Sequence, residues 1–147
     1  MADVDPLALD RQVCFALAAA SRSVIALYRP VLEPLGLTHP QYLVMLALWE
    51  KNPRTARDIS DTLLLEPATL SPILKRLESA GLVTRRRGEL DERTVSLGLT
   101  CLGFELRGQA ELVPAQIVEH LGMELTELEH IRDSLTTLIT ASTRNRA

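Results

Sequence analysis

The spacing of the apolar residues changes at Gly81, and this change constrains the fold more than any other feature of the sequence. Before Gly81, apolar residues recur with the period of a helix that buries one narrow stripe: Leu70, Ile73, Leu74 and Leu77. Pro67 suits the first turn of that helix, and Gly81 suits its C-terminal cap. After Gly81, residues 82–87 and 94–99 are short β-type runs, and the polar stretch 88–93 between them predicts a hairpin.

Three helices are predicted before this unit. The first covers residues 7–29, because Asp5 is a good N-cap and a proline follows it at the first helical position. The second begins near Pro40 and stops before Asn52. The third is short and follows a capping box that opens at Thr55.

Two helical regions are predicted after the hairpin. Thr100 caps a long helix over residues 101–121, which Pro114 interrupts or kinks. Another helix starts near Thr126 and carries a coiled-coil-like apolar seam, made of Leu128, Ile131, Leu135 and Leu138. Such a seam needs a partner helix.

This order of elements predicts a mainly α fold with a small β-hairpin wing. A winged helix-turn-helix over residues 38–100, with flanking helices at 6–35 and 101–143, uses every predicted element. We find no internal repeat and no linker, so residues 1–147 are expected to form a single unit.

The charges are unevenly distributed along the chain. The formal net charge of −3 argues against a nucleic acid partner, yet the segment 67–87 contains five basic residues and one acidic residue. The rest of the chain carries eleven basic and eighteen acidic residues, so a balance of +4 in this segment stands against −7 elsewhere. A charged helix face is often only solvated, but a basic helix followed by a basic hairpin indicates a phosphate-contacting surface.

The geometry of a winged helix-turn-helix indicates which side chains reach DNA. The second helix of the motif enters the major groove, and a single arginine at a hairpin tip can enter a narrow minor groove. An aspartate two residues before that arginine can hold it extended. The expected contacts are Thr69, Ser71, Pro72, Lys75 and Arg76 on the helix, Arg85, Arg86 and Arg87 on the first strand, and Asp91 and Arg93 near the tip.

Composition excludes several other classes. The longest strongly apolar run, Leu43 to Trp49, has seven residues, whereas a membrane span needs about twenty, so no span is expected. Two cysteines 87 residues apart argue against a disulfide scaffold or a zinc site and favour a reducing cytoplasm. No metal and no cofactor is expected.

The segment from Glu66 to Val83, followed by Asp91 to Thr100, resembles the recognition helix and wing of the MarR family. The resemblance covers nearly the whole chain. It implies a homodimeric winged-helix transcription regulator, most often a repressor, that binds a pseudo-palindromic operator in double-stranded DNA and releases it on sensing a small molecule or an oxidant. It also implies that the N- and C-terminal helices form the dimer.

The chain is similar over five short segments to the organic-hydroperoxide-sensing (OhrR-type) branch of that family: 12–17, 20–22, 28–30, 35–43 and 48–50. The resemblance assigns the sensor role to Cys14, whose oxidation to a sulfenic acid would release DNA. This chemistry needs a thiolate, because the thiol is a poor nucleophile. Without the resemblance, a cysteine in an alanine-rich helix is expected to be a small buried residue.

Hydroxyl donors are expected to stabilise that thiolate. Tyr28 lies 14 residues after Cys14 on one predicted helix, hence on the same face but about 21 Å away. It can therefore support the thiolate only across an antiparallel dimer interface. His39 stands where the resemblance implies a second hydroxyl donor, so either His39 or Tyr42 is expected to complete the pocket.

Cys101 is the second thiol, and its position just after Thr100 favours a thiolate through the helix dipole. The resemblance gives no support for a Cys14–Cys101 bridge, so oxidised Cys14 is expected to form a mixed disulfide with a small thiol or to over-oxidise. His120 and His130 are scattered and form no acid–base pair with Cys14, so an enzyme is not expected. The alternative function is a regulator that a small aromatic or phenolic ligand releases from DNA.

Overall fold

A computed structural model describes residues 4–88 and 93–145. The chain divides into two compact units, the first ending at Leu112 and the second beginning at Val113. The first unit contains five α-helices and three strands among the described residues: α1 Val13–Leu32, α2 His39–Glu50, β1 Arg54–Thr55, α3 Ala56–Leu63, α4 Pro67–Ser79, β2 Val83–Arg87, β3 Val95–Leu99 and α5 Cys101–Ala110. The second unit contains α6 Val113–Leu121 and α7 Leu125–Arg144. The fold is thus mainly helical with a small antiparallel sheet, as the sequence predicts.

Side-chain caps set where the helices of the first unit begin. Thr38 accepts a hydrogen bond from the Gln41 backbone N–H while the Gln41 side chain accepts one from the Thr38 backbone N–H, which makes a complete capping box for α2. Thr55 caps α3 and Thr100 caps α5 by accepting from the backbone N–H three residues on. The caps at Thr55 and Thr100 were predicted from the sequence, whereas the capping box at Thr38 was not.

The start of α1 corrects the prediction of a helix over residues 7–29. Asp5 Oδ1 accepts from the Leu7 backbone N–H at 3.0 Å and closes a local turn, and the Gln12 side chain donates to the Pro6 and Ala8 carbonyls. These bonds hold the first residues in a separate turn, so α1 begins at Val13. At the other end, the helix continues past Pro30 to Leu32 instead of ending before the proline.

The helical region after the hairpin is interrupted, which is one of the two outcomes predicted for residues 101–121. It forms two helices, and the break lies at residues 111–112, ahead of Pro114. Proline lacks an N–H and is tolerated in the first turn of a helix, so Pro114 sits at the start of α6 rather than at a kink.

The core of the first unit joins α2, α3, α4 and the sheet. The apolar stripe of α4 is buried as predicted, and its partners from the other elements include the fully buried Leu48, Ile59 and Leu97. Between α3 and α4 the chain turns at Leu64, whose φ is +57°, and the Ser60 hydroxyl donates to the Leu65 carbonyl. This tight connection makes α3 and α4 the helix-turn-helix.

The sheet has the strand order β1-β3-β2, with all pairs antiparallel. The hairpin of β2 and β3 was predicted, whereas β1 was not, because two residues leave no periodicity to detect. Arg85 pairs with Leu97 and Arg86 with Ser96. Since Leu97 is fully buried, Arg85 shares the inward face of the wing and Arg86 lies on the outward face.

One helix bears on the expectation that the chain has no membrane span. The segment Val13–Leu35 is long and apolar enough, by length and composition only, to cross a membrane, although the sequence has no long uninterrupted apolar run. Arg22 and Arg29 lie within this segment, and a charged side chain inside a bilayer is costly. The exposed apolar side chains of α1 are therefore expected to pack against a protein surface and not against lipid.

Gly103 marks the tightest approach between α5 and the wing. A Cβ at this position would lie 2.3 Å from the Leu82 carbonyl oxygen, and the Trp49 indole N–H donates to the Gly103 carbonyl at 2.9 Å. We expect Gly103→Ala to lower the free energy of unfolding by about 1–3 kcal/mol, because backbone must move to admit the methyl group. Urea denaturation measures this effect. Gly108→Ala in the same helix, with nothing within 4 Å, should instead raise the stability by about 0.5–1 kcal/mol.

Candidate nucleic-acid interface and thiol site

The outer face of α4 is the first part of the candidate interface. The residues opposite the buried stripe are all exposed: Ala68, Thr69, Ser71, Pro72, Lys75, Arg76 and Ser79. Pro72 lies inside the helix and has no N–H, so the Ala68 carbonyl loses its intrahelical donor on this face. In the described part of the chain, neither the Lys75 nor the Arg76 side chain has an ion-pair or hydrogen-bond partner. Their charges are available to a phosphate.

The three arginines of β2 are not equivalent, although the sequence predicts the same role for all three. Arg85 donates to Glu78 of α4 at 3.2 Å and forms an ion pair with it. This pair ties the wing to α4 and neutralises the Arg85 charge locally. Arg86 lies on the outward face, and Arg87 is exposed at the end of the strand.

The tip of the wing contains the last two predicted contacts. Arg93 is exposed and opens the second described range, just before β3. Asp91 lies outside the described residues, so its predicted role of holding the arginine extended stays a prediction.

Arg54 is a residue of this region that the sequence analysis missed. It is buried, donates to the Lys51 carbonyl and to the Thr62 hydroxyl, and forms an ion pair with Asp58 at 3.5 Å. Through these bonds it fixes β1 and α3, and thereby the helix-turn-helix. The acidic residues four positions before and after Arg54 are the sequence signal that would have indicated it.

Cys14 is the second residue of α1, and its thiol is free and exposed. It is therefore not the buried core residue that an alanine-rich helix predicts. Because α1 is continuous from Val13 to Leu32, the 14 residues between Cys14 and Tyr28 correspond to about 21 Å along the helix. The structure thus keeps these two predicted site residues apart within one chain.

The other three predicted sensor residues lie together. The rings of Tyr28 and His39 meet edge to face with centroids 5.1 Å apart, and the Tyr28 and Tyr42 centroids are 5.9 Å apart. We call Tyr28, His39 and Tyr42 the aromatic cluster. Among the described residues, no side-chain polar atom of this cluster has a hydrogen-bond partner. The cluster therefore offers unused donors at the opposite end of α1 from Cys14.

Burial sets the protonation of the aromatic cluster. Burial raises the pKa of Tyr28. The pKa of Tyr42 is raised first by burial and second by the charge of the neighbouring Tyr28. Both hydroxyls therefore keep their protons at neutral pH and can donate. Burial also lowers the pKa of His39 below its ordinary value, so the ring is neutral at pH 7 and donates through a single N–H.

Cys101 is the first residue of α5 and is also free and exposed. It follows the Thr100 cap, as predicted. No feature of the described structure gives Cys101 a role.

Comparisons with known proteins agree with this architecture. Residues 26–106 match the family model of the transcriptional regulator SarA/Rot. The chain is 39% identical over 135 residues to the organic hydroperoxide resistance transcriptional regulator of Bacillus subtilis strain 168, and the match covers 92% of each chain.

Solved structures show the same fold bound to DNA and to a ligand. Reduced AbfR bound to DNA superposes with a TM-score of 0.80 at 36% identity and 95% coverage of both chains, and overoxidized AbfR bound to DNA superposes with a TM-score of 0.72. Another of the similar solved structures is the crystal structure of AbfR of Staphylococcus epidermidis. CouR from Rhodococcus jostii RHA1, bound to p-coumaroyl-CoA, gives a TM-score of 0.76 at 25% identity, covering 90% of this chain and 94% of CouR.

These relatives are transcriptional regulators and not enzymes. The chain has their helix-turn-helix, their wing and a basic outer face on α4. It therefore belongs to the SarA/Rot-type, MarR-like family of winged-helix transcriptional regulators, which bind DNA.

Proposed function

We propose that the chain is a homodimeric repressor that releases its operator when an organic hydroperoxide oxidises Cys14. The observation that carries the proposal is the arrangement of α1: an exposed thiol at its start and a cluster of unused donors, about 21 Å away, at its end. The 39% identical regulator of organic hydroperoxide resistance supports the oxidant class. The chain acts in the cytoplasm, where its operator and a reducing thiol pool are present.

Dimerisation completes the sensor in this proposal. Two antiparallel copies of α1 bring Cys14 of one protomer to the aromatic cluster of the other. Exposed apolar side chains on α1 and α7 supply the surface for such a dimer, among them Val13, Phe15 and Ile25 on α1 and Ile131, Leu135 and Leu138 on α7. The helices at 6–35 and 101–143 are the dimerisation elements in this proposal, and residues 38–100 read DNA.

The chemistry at Cys14 is a two-electron oxidation. The thiolate sulfur attacks the outer oxygen of the hydroperoxide, an S–O bond forms as the O–O bond breaks, and the leaving alkoxide takes a proton to become the alcohol. The hydroxyl of the partner's Tyr28 donates to the thiolate, while either His39 or Tyr42 supplies the second donor. As a neutral ring, His39 can donate one hydrogen bond to the thiolate but places no positive charge beside it.

The sulfenic acid then reacts with a small thiol to form a mixed disulfide and water. Over-oxidation is the competing outcome. AbfR is described bound to DNA in its overoxidized form, which favours the mixed disulfide as the state that releases DNA in this chain.

The DNA complex follows from the dimer. Two copies of α4 enter successive major grooves of a pseudo-palindromic operator, with Thr69, Ser71 and Pro72 toward the bases, Lys75 and Arg76 on phosphates, and Arg93 in the minor groove. The test of the function is a gel-shift titration of an operator complex with cumene hydroperoxide and with hydrogen peroxide. Loss of the complex at lower concentrations of the organic oxidant supports the proposal, and retention through both oxidants contradicts it.

The ion pair at Glu78 leads to a prediction for the wing arginines. Arg86→Ala should reduce the slope of log Kd against log salt concentration by about 1.8, because the dimer loses one counterion-releasing phosphate contact from each protomer, at about 0.9 per contact. Arg85→Ala is the matched variant. It should leave the slope nearly unchanged, because Glu78 already neutralises its charge. Equal slope changes in the two variants would mean that Arg85 leaves Glu78 and contacts DNA.

A second candidate function is release by a small aromatic ligand, with no thiol chemistry. CouR, which has the same fold, is described with p-coumaroyl-CoA bound. If salicylate dissociates the operator complex while every oxidant leaves it intact, the ligand-regulated function replaces the redox one.

A further inference from the structure

Pro72 is an interior residue of α4 and lies on its exposed outer face, a position that helices usually deny to proline. Because proline has no N–H, the carbonyl four residues earlier, that of Ala68, lacks the donor that an α-helix would supply. Ala68 is exposed, and no side chain among the described residues donates to its carbonyl. The outer face of α4 therefore carries a backbone acceptor with free capacity.

The side chains around this carbonyl are short. Thr69, Ser71 and Pro72 are its exposed neighbours in the first two turns of α4, and the long basic side chains begin at Lys75. The N-terminal part of a recognition helix is the part that meets the base edges in the major groove. With only short side chains there, the backbone of α4 can reach a base edge directly.

A carbonyl discriminates between bases in a way that the neighbouring hydroxyls cannot. The hydroxyls of Thr69 and Ser71 both donate and accept, so they fit either kind of base edge. A carbonyl only accepts, so it matches the exocyclic amine of adenine or cytosine and opposes the oxygen of guanine or thymine. Since DNA binding removes water from this carbonyl, an opposing oxygen leaves it unpaired, which is costly.

We propose that the Ala68 carbonyl, freed by Pro72, reads an exocyclic amine of adenine or cytosine in the major groove of each half-site. Pro72 is then a specificity-determining residue that acts through the backbone and not through its own ring. The inference rests on the proposed placement of α4 in the major groove and does not depend on the chemistry at Cys14. The unfavourable position of Pro72 in the helix fits this role, because functional sites are where proteins retain local strain.

The test removes the free acceptor by supplying its missing donor. Pro72→Ala restores the N–H, so the variant should melt at a higher temperature than wild type while it loses the readout. Selection of bound duplexes from a randomised double-stranded DNA library gives the base preferences of both proteins. We expect one position in each half-site where wild type selects adenine over guanine, or cytosine over thymine, and where the variant accepts both bases.

Pro67→Ala is the matched control. Pro67 is the first residue of α4, where the N–H of any residue would have no partner within the helix, so its replacement neither frees nor fills a carbonyl. The control should select the same bases as wild type. If it relaxes the same position as Pro72→Ala, the preference depends on the course of the helix and the proposal is wrong.

Base analogues separate the carbonyl from the proline ring. Unsubstituted purine in place of the selected adenine, or pyrimidin-2-one in place of the selected cytosine, removes only the exocyclic amine. Wild-type affinity should fall about fivefold for each half-site replaced, the factor that one hydrogen bond supplies. Pro72→Ala should lose almost nothing, because its Ala68 carbonyl already bonds within the helix. Selection of a thymine whose replacement by uracil weakens wild type alone would assign the readout to the ring and overturn the proposal.

The same selection distinguishes this inference from the proposed placement of α4. If wild type selects no sequence from the library, α4 does not read bases, and both fail. If wild type selects a sequence and Pro72→Ala selects it equally strongly, α4 reads bases without the Ala68 carbonyl, and the inference alone fails.

Discussion

Cys14→Ser is expected to bind the operator as tightly as wild type and to lose its response to organic hydroperoxide completely. The thiol is exposed and belongs to α1, not to α4 or the wing, and a serine hydroxyl is close to it in size. The hydroxyl cannot form a sulfenic acid or a mixed disulfide. In a gel-shift titration, wild-type affinity should fall by about tenfold or more on oxidation, whereas the serine variant should show no change.

Cys101→Ser is the matched control, because Cys101 is also free, exposed and near a helix start. It should respond to hydroperoxide like wild type. If the Cys14 variant still releases DNA on oxidation, Cys14 is not the sensor. If only the Cys101 variant loses the response, the roles of the two thiols are reversed.

The DNA-reading part of the fold was predictable because several independent signals agree there. In α4, Pro67 at the first turn, a buried stripe and Gly81 beyond the end all indicate the same helix. The start of α1 was not predictable in this way. Asp5 is a good cap for a helix, but its side chain closes a local turn instead, and only the bonds of Gln12 show why the helix starts later.

The residues of the candidate site could be proposed from the sequence, but their contacts could not. Spacing alone separates Cys14 from Tyr28, and the structure agrees. The approach of Tyr28 to His39 and Tyr42 depends on how α1 packs against α2, which no periodicity reports. Likewise, three consecutive arginines look alike in the sequence, and only the pairing of β2 with β3 and the bond to Glu78 distinguish Arg85.

The apolar stripe of α7 is the part of the proposed dimer interface that substitution can test. The double variant Leu135→Glu/Leu138→Glu places two carboxylates on the apolar stripe of α7, where both leucines are more than a third exposed in the single chain. In the proposed dimer these side chains are buried against the partner, and a buried unpaired charge is costly. We expect the variant to be a folded monomer by sedimentation, since neither leucine is part of the core.

The monomer should bind the operator about 100-fold or more weakly than wild type, because two linked half-site contacts become one. It should also show slow oxidation of Cys14, because in the proposed dimer the aromatic cluster that activates the thiol lies on the partner. Thr140→Glu is the matched control: Thr140 is on the opposite face of α7, and its hydroxyl bonds only to the Thr136 carbonyl. A dimeric Leu135→Glu/Leu138→Glu variant with normal operator affinity would exclude the α7 stripe from the interface. A monomer whose Cys14 is oxidised at the wild-type rate would show that the thiol needs no partner. The groups that activate the thiol would then lie near Cys14 in its own chain.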